Sequence, residues 1–152
     1  MSRELPAIRL HAMRFVYLFT AVFVGFSAWP EVINQGRLIT GGQSWDLIHG
    51  VAFSFYAAYA VLFLLGVRFP LRMLPLILHQ LFYKTIWLIA VGYPLWSAGR
   101  LQPASSGVIK LFALVLILDL IVIPWPFVFE KYVKAIFRLE AKVELLRHRE
   151  VG

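Results

Sequence analysis

No cysteine occurs in the 152 residues. That removes disulfides, thiol catalysis and cysteine-ligated clusters. Charge is scarce too: 15% of the residues are charged, against about a quarter in an ordinary soluble domain. The few carboxylates are scattered, so no dense acidic cluster offers itself for metal-assisted hydrolysis. There is no HExxH and no pair of histidines at i, i+4, which argues against the usual zinc-hydrolase arrangement. GxSxG is missing as well, leaving a serine hydrolase without its nucleophile elbow.

What the chain does have is apolar surface. Sixty-one percent of the residues are hydrophobic and 16% aromatic, with a mean hydropathy of +0.76. That excess reads as an integral membrane protein. The net charge of +7 could suggest nucleic acid. Most basic residues, however, border apolar runs, where anionic lipid headgroups are the better partner.

A hydrocarbon core of about 30 Å takes roughly 20 apolar residues per helix. Four segments meet this: 15–33, 47–67, 74–96 and 108–129. The first follows Arg3, Arg9 and Arg14, as a secretory signal would, but Phe26 and Trp29 crowd the one candidate cleavage site after Ala28. It is read as an uncleaved membrane helix. The fold expected is therefore all-α and polytopic, four transmembrane helices in an antiparallel bundle over residues 1–129. A basic amphipathic helix over 130–152 completes it.

Lys and Arg placement sets the orientation. Arg3, Arg9, Arg14, Arg68, Arg72, Lys131, Lys134, Arg138, Lys142, Arg147 and Arg149 fall on one side. Only Arg37, Arg100 and Lys110 fall on the other. Both termini are thus expected in the cytoplasm. Trp29, Trp45, Tyr93 and Trp96 would form an aromatic belt at the outer boundary. Turn chemistry is expected at Asn34-Gln35-Gly36, Gly41-Gly42 and Pro103 to Gly107. The short 68–72 connection should make the second and third spans antiparallel neighbours.

Pro124-Trp125-Pro126 should kink or end the fourth span. Beyond it, Tyr132, Val133, Ile136, Phe137, Val143 and Leu146 recur near helical spacing among basic residues. Such a segment would lie on the inner leaflet or bind a partner.

Haem held by two histidines needs both rings at one depth. His49 lies about 3 Å in from the outer side and His79 about 8 Å in from the inner side. Their heights differ by about 20 Å, so haem is not expected unless a second copy supplies another His79. Asp46 and His49, three apart, could make a weak two-ligand site at the outer face. Asp46 is better explained as a helix-start residue that favours the dipole.

Lys84 is harder to dismiss. It lies ten residues into the third span, about 15 Å from the inner face. A charge at mid-bilayer is costly and normally finds an interior partner. Asp119, about 16 Å down the fourth span, matches its height. Gln80, Lys84 and Trp87 share one stripe of the third helix, with His79 and Tyr83 on a second. Lys84, Asp119, Gln80, Tyr83 and His79 are thus expected to form an intramembrane polar seam. Tyr17, Thr20, Val24 and Ser27 of the first helix could face it. Gly50, Ser54 and Ala58 would allow the second helix to pack closely.

The stretch GVRFPLRMLPLILHQLFYKTIWL, Gly66 to Leu88, resembles a phrase found in a family of small bacterial four-helix inner-membrane proteins. Arg68, Pro70, Met73, Leu74, Pro75, Lys84 and Trp87 carry the likeness. Gln80 stands where the family has Glu, and Tyr83 where it has Trp. The resemblance implies a bacterial cytoplasmic membrane and supplies no activity. With Gln at 80, lysine must look to Asp119 for charge balance.

Two functions from different classes follow. The first is an accessory or structural subunit that packs against other membrane proteins or against itself, with no catalytic residue and no cofactor. The second is a binding or transport module in which Lys84 and Asp119 receive a lipid-like molecule or a small anion. A membrane enzyme using His79, Tyr83 and Lys84 has the least support.

Overall fold

The computed structural model describes residues 6–44 and 46–134, without the side chains at 104 and 133. Trp45 and residues 135–152, hence most of the expected amphipathic helix, lie outside the described residues.

Every described element is helical. These are α1 (Ala7–Thr40), α2 (Leu47–Arg68), α3 (Leu74–Trp87), α4 (Tyr93–Ser97), α5 (Pro103–Val122) and α6 (Trp125–Val128). A π turn, Leu88–Gly92, carries α3 into α4 without a break. Ala7–Thr40, Leu47–Arg68, Leu74–Ser97 and Ser105–Val122 are long and apolar enough to cross a membrane. At most 28% of any of their apolar windows is buried inside the protein. Helices that turn this much hydrocarbon outward are suited to lipid, where apolar surface carries no penalty.

Three boundaries differ from the sequence reading, each for a local reason. α1 runs through Asn34-Gln35-Gly36, which was expected to turn. One glycine costs a helix only about 1 kcal/mol, and the ladder outweighs it. The stop comes at Gly42 (φ +69°), where Gln43 N–H donates to Leu38 O and Gly42 N–H to Ile39 O. That is the glycine cap in which a left-handed residue lets the last carbonyls be satisfied. Gly99 (φ +64°) ends α4 the same way, with Arg100 N–H on Leu95 O and Gly99 N–H on Trp96 O. Pro103 to Gly107 is the first turn of α5 and not a loop, since proline's missing N–H is harmless there. At its other end α5 stops at Val122, short of the expected 129. Pro124 disfavours helical geometry in Ile123 and cannot donate to the ladder.

α1 packs most extensively on α2, and α3 on α5. The α1 stripe is Met13, Val16, Tyr17, Thr20 and Ala21, and the α2 stripe Ala57, Ala60, Phe63 and Gly66. Ser27 does not face the polar seam, being exposed and donating to Phe23 O, whereas Val24 lies beside Tyr83 and Lys84 of α3. Gly50, Ser54 and Ala58 are not the close-packing face either. Ser54 and Ala58 are exposed, and a Cβ on Gly50 would meet nothing within 4 Å. The buried face of α2 starts one residue earlier, at Ala57, and one residue turns a helix by about 100°. The close approach is at Gly66, where an added Cβ would run into the Tyr17 ring. Tyr17 also packs edge-on to Phe63 at 5.3 Å, and its hydroxyl donates to Pro70 O at 3.0 Å.

That bond ties α1 to the α2–α3 turn. The turn closes through Arg72 and Met73 N–H groups donating to Phe69 O, with Arg68 and Arg72 flanking the Phe69 ring at 5.5 and 5.6 Å. α2 and α3 then meet mainly through side chains: Tyr59 O–H donates to Leu76 O at 3.0 Å.

The described residues divide into two units between Val122 and Ile123. The second holds α6 and a π turn over Phe129–Val133, where Lys131 lies 5.3 Å from the Phe127 ring and 5.9 Å from that of Tyr132.

Two glycine substitutions separate backbone strain from packing. Gly99→Ala is expected to cost about 1–2 kcal/mol from its left-handed backbone alone, since nothing lies within 4 Å. Gly66→Ala should cost at least as much by displacing the Tyr17 ring, and Tyr17→Ala should relieve its steric part. Melting temperatures in one detergent, with a double-mutant comparison, check both.

Candidate functional site

α3 turns Leu74, Ile77, Gln80, Leu81 and Lys84 inward, a three-and-four spacing that gives one helical face. α5 turns Val115 and Asp119 inward, also four apart. Because α3 lies on α5, the polar members of these faces meet. Gln80 Nε2 donates to both carboxylate oxygens of Asp119, at 3.0 and 2.9 Å. Both residues are fully buried. Hydrogen bonds to an ionised acceptor are the strong ones, and away from water each is costly to leave unmade.

The direct Lys84–Asp119 contact anticipated from their matching depth is not formed. Among the described residues Lys84 makes no ion pair and no hydrogen bond. It is 5% exposed, with Nζ 5.6 Å from both the Tyr83 and Phe112 ring centroids. Lys84 and Asp119 still act on each other electrostatically. The reason for the difference is reach and position. Gln80 sits one turn before Lys84 on the same stripe and arrives at the carboxylate first, leaving the longer side chain to the aromatic rings. Those rings attract a cation through their faces.

Beside Lys84 is a cavity of about 50 Å³, lined by Thr20, Phe23, Tyr83, Lys84, Phe112 and Val115 among others. It has room for one or two water molecules, each of which occupies about 30 Å³ in the liquid. Thr20 brings α1 to this site and is itself buried. Gln80 Oε1, by contrast, is buried with no hydrogen-bond partner among the described residues.

The remaining seam residues separate. Tyr83 lines the Lys84 cavity. His79 is exposed and stands apart from Asp119, its ring 5.5 to 5.8 Å from those of Tyr59, Phe55 and Tyr83. It belongs to an aromatic group where α2 meets α3, not to the polar interior. The one-residue offset from Gln80 is enough to turn it out.

At the other end of α2, Asp46 Oδ1 accepts from the His49 N–H at 2.6 Å, an N-cap that satisfies one free amide. The His49 ring turns to Glu31 of α1, 3.3 Å from Nε2 to Oε2, and lies tilted against Phe53 with centroids 4.4 Å apart. Asp46 and His49 are thus joined by a cap, not arranged as two ligands. No group of three or more His, Cys, Asp or Glu side chains gathers for a metal among the described residues. Glu31 was missed in the sequence. Its signal was available: it is the lone carboxylate in the 34 residues of α1.

No protein family, curated protein or solved structure matches the chain. The geometry above therefore carries the functional reading.

Removing one partner of the Gln80–Asp119 pair should leave the other buried and unmet. Gln80→Leu is expected to cost about 2–3 kcal/mol. The double change Gln80→Leu with Asp119→Leu should recover most of that, because two apolar groups leave nothing unsatisfied. Unfolding in detergent measures the coupling; additive losses would mean the two do not support each other.

Proposed function

We propose that the chain is an accessory or structural component of a bacterial inner membrane. It crosses four times as an antiparallel bundle, keeps both termini in the cytoplasm, and acts by packing on other membrane proteins or on copies of itself. The Arg68-to-Trp87 phrase and the uneven placement of Lys and Arg support the location and orientation. The reading includes no catalytic residue, no haem and no other cofactor.

The observation that carries it is the closed interior. The buried carboxylate is answered from within by Gln80, and the free space beside Lys84 is only about 50 Å³. Drug-sized ligands occupy pockets of roughly 300–1,000 Å³, so a metabolite or lipid does not fit there. In contrast, large apolar side chains crowd the outside: Phe15, Phe19 and Phe23 stack in a row along α1, centroids 6.2 and 6.0 Å apart.

A second reading is favoured by one observation, the unpaired and buried Lys84. A cation in no direct contact with a carboxylate, next to a cavity of this size, suits a single monatomic anion.

Extraction into native nanodiscs followed by mass measurement tests the first reading. The chain is expected in an assembly of fixed ratio, as a homo-oligomer or with a constant membrane partner. A monomer that gives proteoliposomes a halide flux abolished by Lys84→Met would overturn it and establish the second. The Lys84→Met variant should leave the assembly intact if packing is the function.

A further inference from the structure

The α1 face that carries Ala21, Gly25, Trp29 and Ile33 is not a flat helix surface. With Ala60, Val61 and Leu64 of α2 it forms a groove of about 680 Å³ that ends at Arg37. Its origin is local. Gly25 contributes no side chain, and the Ala60 Cβ stands only 3.6 Å from where a Cβ on Gly25 would be. Ala21 and Ala60 are buried and small, so together these residues make a low floor between α1 and α2. Trp29 and Phe26 stand up as walls, 47% and 80% exposed. Pro30 lies inside the helix on the same face and withholds the N–H that Phe26 O would otherwise accept.

Length and charge define what would fit. With Phe15 at one membrane boundary, Gly25 lies about 15 Å in, the middle of a core about 30 Å thick. Ile33 is about 12 Å further along, and Arg37 about 18 Å. From Ala21 to Arg37 the groove runs about 24 Å, from past mid-membrane to the level of the headgroups, where it carries a cation. Arg37 is exposed and pairs with no carboxylate among the described residues. The nearby acid of α1, Glu31, is engaged with His49 instead.

We propose that this groove is a binding site for a phospholipid of net negative charge, with an acyl chain against Gly25, Ala60 and Leu64 and its phosphate on Arg37. A guanidinium is the side chain best shaped for bidentate contact with phosphate oxygens. The chain lies along small residues in the way small-residue faces admit close neighbours in membranes. A second helix would be equally apolar, but it would leave Arg37 without an anion at the groove's end. With the orientation proposed above, the bound lipid belongs to the outer leaflet. The site itself does not depend on that orientation.

Native mass spectrometry of the purified full chain, titrated with phosphatidylglycerol or phosphatidylcholine of the same acyl composition, tests this. One phosphatidylglycerol per chain is expected to be retained in preference to phosphatidylcholine. Arg37→Gln should weaken retention of phosphatidylglycerol roughly fivefold and that of phosphatidylcholine, whose phosphate is offset by choline, by less. Arg37→Glu should abolish the preference, and both variants should melt with the wild type because residue 37 is exposed. Gly25→Leu, filling the floor, should remove retention of both lipids. Equal retention of the two lipids by the wild type, or an Arg37→Gln variant indistinguishable from it, would overturn the site. So would a loss of oligomer in the Gly25→Leu variant with lipid retention intact, which would assign the groove to a second copy.

Discussion

A carboxylate surrounded by hydrocarbon has to be met from inside the protein, and Asp119 is met by Gln80. In water this bond would be one exchange among many. Within apolar helices it is the condition on which α3 and α5 can lie together. Both oxygens are used by one amide nitrogen, so the relative height of the two helices is fixed to within a hydrogen-bond length. Lys84 and Thr20 follow from it. With α3 fixed on α5, the lysine one turn further on is held among rings, and the α1 hydroxyl comes to the edge of the same small cavity.

Tyrosine hydroxyls solve the same problem elsewhere. Tyr17 and Tyr59 each bring a large apolar ring into the interior and end it on a backbone oxygen of a different segment, Pro70 and Leu76. The rings bury area, while the hydroxyls specify where the neighbouring segment must be. Gly66 completes the arrangement by leaving space for one of those rings. The identity of residue 80 has a particular weight here. A Glu at this position would bring a second carboxylate to the oxygens of Asp119, where Gln brings an amide.

The four long apolar helices were legible because their signal is additive over about twenty residues, and no single position can cancel it. Both ends of α2 and the start of α3 fell within a residue of the expected bounds, and Gly41-Gly42 turns as expected. Ends were misjudged where glycine or proline could sit harmlessly in a helix, as at Gly36 and Pro103. The polar interior was half legible. Depth alone brought Lys84 and Asp119 to one level, since rise per residue is fixed, and helical spacing added Gln80 one turn before the lysine. Depth is silent on rotation, so it gave Asp119 the lysine as partner where the structure gives the glutamine. Rotation also explains His79, turned outward by a single residue's step, and the stripe of α2, displaced by the same step from Ala58 to Ala57. The Glu31–His49 contact spans two helices: the lone carboxylate of α1 marks Glu31, but its partner on α2 is not set by local spacing.

The Tyr17 hydroxyl has its acceptor 53 residues away, on Pro70. A chain made from its N-terminus presents α1 to the membrane long before that acceptor exists. Until the turn at 69–73 has been synthesised, this bond cannot form. The final seating of the first helix is therefore a late event, completed when the second hairpin begins.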